Sequence, residues 1–410
     1  MRDPSNSVAS EQSWVTGDVR FILFTQLVFG FGWSLYLLTP KFLTTVLHAG
    51  PETIGTINAM GGASGLLTIP FAGLAIDRLG RRVFFQLGAL LLVLLSLGFT
   101  QVDHVGPLMY VLQGCISASF VLAFNASAAL LADYAPAARL GQAIGWVGGV
   151  NVSMNAVSTM IAEPLAEKHG WSMVFGLGVA AGLAALALST RLREAASRPP
   201  RQVVAGPVTG HATAAATRSA RPDRQLYGIL FATLLMGSAF SAMFGFIQPY
   251  AVSVGAVQVR GFFLGFTISA VASRLFLGSL GDRIGRRPVS LWAFLGYGLA
   301  TYSVRGLVPD LLMLYGLLFG AAHGILYPTL NALVIEVLPA ARRGLGMVLY
   351  NGAFNVGSSA GSLGWGLLAQ RQGYPAVYAT AGCLAVSAAV LLRGAAGSRG
   401  SAITDPDRAV

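Results

Sequence analysis

The sequence predicts an all-α membrane protein of twelve transmembrane helices, arranged as two pseudo-symmetric six-helix bundles. Three observations lead there. The composition is too apolar for water. Twelve stretches almost free of charge are each long enough to cross a bilayer. Two local patterns occur twice, at nearly the same spacing.

Of 410 residues, 54% are apolar and only 10% are charged, against about 25% charged in an ordinary soluble domain. A water-soluble body of this size could not be covered with so little polar surface. The 51 glycines exceed the usual share of about 7% and suit helices that pack closely in lipid. This excludes a soluble enzyme, a disordered chain and a disulfide scaffold. The two cysteines, Cys115 and Cys383, lie far apart in apolar runs, without a disulfide framework or metal-ligand spacing.

A helix rises 1.5 Å per residue, so about 20 apolar residues cross roughly 30 Å of hydrocarbon. The candidate spans are 21–40, 53–76, 83–102, 107–132, 140–162, 171–190, 225–250, 259–281, 288–304, 309–335, 344–370 and 374–392. Strands of a membrane barrel would alternate in segments of about 10 residues, whereas runs such as 87–97 are continuously apolar. Residues 1–20 carry Asp3, Glu11 and Asp18 and show no small-residue cleavage site, so no cleaved signal peptide is expected.

The organisation follows: a segment 1–20, a bundle over 21–190, a linker 191–224 rich in Arg, Pro, Ala and Thr, a second bundle over 225–392, and a tail 393–410. Segments on the side of the termini hold 21 of the 27 Lys and Arg residues, while the opposite loops hold five: Lys41, Lys168, Arg260, Arg305 and Arg371. Basic loops stay inside, so both termini are expected in the cytoplasm of a cell inner membrane. The basic surplus then faces anionic lipid rather than nucleic acid.

The halves share two marks. Gly73, Asp77, Arg78, Gly80, Arg81 and Arg82 recur 205 positions later as Gly278, Asp282, Arg283, Gly285, Arg286 and Arg287. Asp133, Pro136, Arg139 and Gly141 recur 203 positions later as Glu336, Pro339, Arg342 and Gly344. Such internal repetition is how many secondary transporters are built. The pattern Gly-x-x-x-Asp-Arg-x-Gly-Arg-Arg, in both halves of a twelve-helix chain with a long middle segment, resembles the major facilitator superfamily over about residues 20–392. The resemblance implies two bundles around a central cavity, a substrate site near mid-membrane and alternating access by rocking of the halves. Monomer is the family expectation.

A carboxylate is favoured at a helix N-terminus, so Asp77 and Asp282 are placed to meet helix starts of the opposite half. The arginines can pair with Asp133 or Glu336. The resemblance implies that Gly73, Asp77, Arg78, Arg81, Asp133, Arg139, Gly278, Asp282, Arg283, Arg286, Glu336 and Arg342 form a cytoplasmic gate.

Polar residues inside spans face protein or a wet cavity. Arg274 lies eight residues before Asp282, about 12 Å along the helix, and fits either a cavity cation or a structural arginine. His323, near the middle of the tenth span with Tyr327 one turn on, is a candidate proton carrier or a neutral hydrogen-bonding partner. Asn151 and Asn155 in the fifth span, and Asn351 and Asn355 in the eleventh, are i, i+4 pairs. They suit matching polar faces or helix–helix hydrogen bonds. Asn125 could join them. Trp33, Tyr36 and Phe244 are the aromatic candidates, and the Gly61–Gly65 and Gly357–Gly361 runs read as packing surfaces. Two features common in proton-coupled drug exporters of the family are absent: Tyr110 stands where an arginine precedes the Gln113-Gly114 pair, and 141–164 lacks a Gly-Pro pair.

No convergent metal ligands, phosphate loop or activated nucleophile is present, so neither an enzyme nor a cofactor is expected. The function expected is alternating-access transport of a small organic solute, with efflux of an amphipathic or drug-like compound favoured and protons as a possible coupling ion. An organic-anion carrier and a non-transporting membrane sensor are the alternatives.

Overall fold

The computed structural model describes residues 14–136, 139–194, 224–278, 280–339 and 342–394. Of 69–75, 77 and 78 it describes the backbone alone. The linker core 195–223, residues 1–13 and the tail from 395 lie outside the described residues.

Twelve long helices follow in order: α1 Gly17–Thr45, α2 Pro51–Leu79, α3 Arg81–Phe99, α4 Pro107–Tyr134, α5 Leu140–His169, α6 Trp171–Ser189, α7 Arg224–Ser253, α8 Arg260–Leu277, α9 Arg286–Ser303, α10 Leu312–Val337, α11 Arg343–Gln372 and α12 Tyr374–Gly394. The termini share one face of the bundle with the loops after α2, α4, α8 and α10, termed here the terminal face. The loops after α1, α3, α5, α7, α9 and α11 form the far face.

Two expected spans are interrupted. α1 tightens to a 3₁₀ turn over Leu35–Leu38 and resumes as Thr39–Thr45. Pro40 lacks the N–H needed to continue the helical ladder. The eighth span stops at Leu277, turns at Gly278 and restarts as the short helix Leu280–Ile284. Arg274 therefore lies in the last turn of α8 rather than well inside a continuous span.

The pairing of helices repeats with a period of six. α2 packs on α4 as α8 packs on α10, α1 on α5 as α7 on α11, and α3 on α4 and α6 as α9 on α10 and α12. The same rule holds between the halves, where α2 packs on α11 and α8 on α5. Approximate twofold symmetry is thus written into the contacts.

Glycine permits the closest of these approaches. A Cβ on Gly316 of α10 would stand 2.9 Å from the Phe266 amide nitrogen of α8, and one on Gly298 of α9 would stand 2.8 Å from the Gly382 carbonyl of α12. The repeated motif also needs its glycine for backbone reasons: Gly80 and Gly285 adopt φ of 89° and 101° between consecutive helices, a region costly for other residues.

Among the described residues, eight helices are long and apolar enough to cross a membrane by length and composition alone. α5, α9 and α11 are less apolar. α5 and α11 line the contact between the halves and carry Gly, Ser and Asn there; α9 opens on Arg286 and Arg287.

Candidate functional site

The terminal-face marks fold into equivalent clusters. Arg81, at the start of α3, pairs with Asp133 near the end of α4 and donates to the Ala129 carbonyl. Arg286, at the start of α9, pairs with Glu336 at 3.0 Å, donates to the Ala332 carbonyl, and also reaches Asp282 at 3.1 Å. Each cluster stays within its own half. Among the described residues the expected meeting of Asp282 with a helix start of the opposite half is not made; Asp282 is largely exposed and turned to Arg286. Arg283 is exposed on the short helix, and Arg139 and Arg342 precede the first turns of α5 and α11. Gly278 forms the turn that ends α8. The side chains of Asp77 and Arg78, and Gly73, lie outside the described side chains.

The reason Asp282 finds no partner across the halves is their relative tilt. At the far face the halves touch closely: a Cβ on Gly55 of α2 would stand 2.9 Å from the Cα of Gly366 in α11. Midway, Thr267 of α8 donates to the Val152 carbonyl of α5 at 3.2 Å. Toward the terminal face, a Cβ at Gly141, Gly145, Gly148 or Gly149 of α5 would meet nothing within 4 Å. The space between the halves opens to the side of the termini.

In the second half, an aromatic cluster surrounds His323. Its ring lies 5.1 Å from Phe240, 5.7 Å from Phe266, 6.0 Å from Tyr297, 6.1 Å from Phe319 and 5.5 Å from Tyr327. His323 is 6% exposed, and its Nδ1 has no hydrogen-bond partner among the described residues. Phe244 stacks on Phe240 at 4.3 Å and packs edge-on against Phe266. Tyr327 donates to Asn351 Oδ1 at 2.9 Å, and Asn355 donates to the Asn351 carbonyl. The half-buried Arg274 acts electrostatically on His323, Tyr327 and Tyr350. Among the described residues it has no hydrogen bond and no ion pair, whereas most buried cations in membranes are paired.

In the first half, Trp33 donates to the Ile116 carbonyl at 3.1 Å and lies 4.4 Å from Phe120. Asn125 is exposed on α4 and bonds its own helix. Asn151 Oδ1 accepts from Gln26 at 3.2 Å, and Asn155 Oδ1 accepts from Ser34 at 2.9 Å. These two amides therefore hold α5 to α1, whereas Asn351 serves α10. The pairs share a helix position but not a role. Tyr36 points the other way, into the core of its half: it donates to Ser96 at 2.6 Å and lies 4.8 Å from Phe99. It joins no polar surface between the halves.

Several participants, Gln26, Phe266, Phe319 and Tyr297 among them, were not singled out from sequence, and Lys41, Glu163 and Phe240 were not given the roles they have here. Gln26, fully buried, accepts from Ser127 at 2.6 Å and links α1, α4 and α5. Phe240, Phe266, Phe319 and Tyr297 complete the His323 surround. Lys41 and Glu163 form a buried ion pair at the far face. Their signal was available: Lys41 is the basic residue at the far-face end of α1, and Glu163 is the carboxylate of α5 nearest its apolar stretch, one turn before Glu167.

A duplicated helical bundle, its halves touching at one face and parting at the other around aromatic and amide side chains, is the architecture of a secondary transporter. The chain belongs to the Major Facilitator Superfamily, whose sequence profile matches residues 22–265 and 253–404. It is a multi-pass membrane protein. It is 26% identical over 402 residues to the multi-drug resistance efflux pump PmrA of Streptococcus pneumoniae, covering 92% of this chain and 96% of that protein. It is 23% identical over 370 residues to the cis,cis-muconate transport protein of Acinetobacter baylyi, covering 83% and 86%. Among solved structures, the nucleoside transporter NupG matches with a TM-score of 0.72 at 14% identity, covering 93% of this chain and 99% of that one. The xylose transporter XylE from E. coli matches with a TM-score of 0.71 at 17% identity, covering 93% and 97%.

Proposed function

We propose that this transporter exports an amphipathic metabolite or drug-like compound by alternating access, with both termini in the cytoplasm of the inner membrane. The observation that carries the reading is the surface presented between the halves. The aromatic cluster of Phe240, Phe244, Phe354 and Tyr327 lies beside Asn351 and Asn355 on one side. On the other side we place Trp33 and the exposed Asn125, with Asn151 and Asn155, whose side-chain oxygens are engaged by α1, behind them. Such a surface offers stacking and amide hydrogen bonds rather than a fixed set of ionic contacts, which suits a flat, partly polar solute. The distribution of basic residues supports the orientation. The full-length likeness to an efflux pump supports the direction. The terminal-face clusters of Arg81 with Asp133, and Arg286 with Asp282 and Glu336, are then cytoplasmic elements of the inner gate, with Asp77, Arg78, Arg139, Arg283 and Arg342 beside them. The solute is taken up as a monomeric carrier's cargo, and protons are the coupling ion to test.

One observation favours a second reading: among the described residues Arg274 has no counter-charge, and an organic carboxylate would supply one. His323 and Tyr327 would then line an anion site, a chemistry for which the likeness to a muconate transporter speaks.

Reconstitution into liposomes separates the two. Uptake into inside-out vesicles of a lipophilic dye, but not of a dicarboxylate, with dependence on an imposed pH gradient, is the expected result. Saturable carboxylate counterflow abolished by Arg274→Met would transfer the assignment to the anion carrier. Transport of neither class would remove both.

A further inference from the structure

We propose that Glu163 is the latch of the far-face gate: a carboxylate of the first half that shuts the pathway by capping the start of α8 in the second half. Its geometry stands apart from the substrate assignment, but its consequence for transport rests on the alternating-access reading above.

Glu163 lies near the far-face end of α5 and is 1% exposed. Its Oε1 accepts from the Val259 amide at 2.7 Å and its Oε2 from the Arg260 amide at 2.8 Å. These two N–H groups open α8, where Val259 is the N-cap and Arg260 the first helical residue. They have no intrahelical acceptor, and the helix end carries partial positive charge. Lys41 of α1, 7% exposed, donates to Glu163 Oε1 and, at 2.6 Å, to the Val257 carbonyl of the second half. It also stands 3.6 Å from Glu167. Gln248 of α7 crosses in the other direction, donating to the Leu37 carbonyl at 2.8 Å and accepting from the Lys41 amide at 3.3 Å.

The division of these partners between the halves gives the latch its logic. Lys41 and Glu163 both belong to the first half, so their ion pair is not broken when the halves part. Separating a buried ion pair would leave uncompensated charge, a penalty of several kcal/mol on each turnover. Here opening the far face breaks only the bonds from the carboxylate to two backbone N–H groups, together with the Lys41–Val257 and Gln248 links. Water can replace each of them. The carboxylate keeps its counter-ion throughout. A charge-assisted bond strong enough to hold is thereby made releasable.

This arrangement differs from an ordinary interhelical ion pair in a way that can be measured. In a protein with Cys115 and Cys383 replaced by alanine, spin labels at Lys168→Cys and Val254→Cys report far-face separation. Labels at Gly141→Cys and Leu277→Cys report the terminal face. Glu163→Gln keeps the shape but removes the charge, and should raise the ratio of far-face-open to far-face-closed molecules by about tenfold. The double variant Lys41→Glu, Glu163→Lys restores neutrality but sets an ammonium against the two N–H groups. It should stay open. Unchanged distances in Glu163→Gln, or closure restored by the charge swap, would overturn the proposal. Should Glu163→Gln not fold, Lys41→Met serves instead: it removes the Val257 link and must also shift the far-face distances outward, and no shift would overturn the latch. A protein that moves no tested solute, yet shows these distance changes, counts against the substrate reading alone and supports the latch.

Discussion

Replacing Arg274 by methionine should make the empty protein more stable and less able to bind an anion. Arg274 lies in the last turn of α8, half-buried, with neither hydrogen bond nor ion pair among the described residues. An arginine at the centre of a membrane helix costs about 2.5–3.5 kcal/mol on insertion scales, and less toward the ends. Half exposure and its place in the terminal turn leave roughly 1–1.5 kcal/mol of that penalty. Methionine occupies the stem's space without the charge. For a unit of about 200 residues, each kcal/mol moves the unfolding midpoint by about 2–4 °C, so a rise of about 2–6 °C is expected. Tryptophan fluorescence during heating of the detergent-purified protein gives the midpoint. A carboxylate that binds at Arg274, supplied at one hundred times its dissociation constant, would add about 2.7 kcal/mol to the native protein and nothing to the variant. The order of the midpoints would then invert. A fall in the midpoint of the ligand-free variant refutes the reasoning, because it would mean that Arg274 is tied into the fold. Equal stabilisation of both proteins by a carboxylate would exclude Arg274 as an anion site.

Tyr36→Phe keeps the ring among Phe99 and Phe175 and loses only the bond to Ser96; thermal unfolding should register a loss of about 0.5–1.5 kcal/mol, with transport rates unchanged. Asp133→Asn and Glu336→Gln alter equivalent positions with unequal effect. The Arg81–Asp133 side chains are only 16% and 20% exposed, while Glu336 is 50% exposed and its partner Arg286 retains Asp282. The first should cost about 1–3 kcal/mol and the second at most about 0.5 kcal/mol, compared by the same melting assay. Gly316→Val places a Cβ against the Phe266 backbone nitrogen, which no rotamer relieves. The cost should reach about 3 kcal/mol or more, read as loss of a monodisperse peak on size-exclusion chromatography.

The fold was legible because its two strongest constraints are local. Charge-free runs mark helices, and the glycine that a left-handed turn requires marks each loop after α2 and before α9. A third repeat escaped notice for want of length: Gly170 and Gly373, with φ of 84° and 82°, join α5 to α6 and α11 to α12, each followed by an aromatic residue. The site was less legible, because a helix face is defined only once its neighbour is known. Asn151 and Asn351 occupy matching positions, yet one accepts from Gln26 of α1 and the other from Tyr327 of α10. Tyr36 and Trp33 lie three residues apart, yet a 3₁₀ turn begins between them and Tyr36 faces the core. In the sequence Glu163 stands only as one carboxylate near the outer end of the fifth span, four residues before Glu167. Its meaning comes from the loop before α8, 96 residues away.

The helices that escape the hydropathy test explain how such a protein can move. Helices that face lipid on one side must be apolar there. α5 and α11 are among those that fall short, and each packs on the opposite half, α5 on α8 and α11 on α2. A seam of large apolar side chains would interlock and resist sliding, since close-packed interiors are not continuously deformable. Small residues such as Gly55, Gly62 and Gly366 present a smoother surface, and Thr267 makes a bond to the Val152 carbonyl that water can take over when the seam opens. The same composition therefore weakens the membrane signal of these helices and identifies them as the surfaces about which the halves rock. Bulky apolar substitutions at Gly55 or Gly62 should consequently leave α1, α3 and α6 packed as before while shifting the balance between far-face-closed and far-face-open molecules, and the same spin-label pairs used for Glu163 would report it.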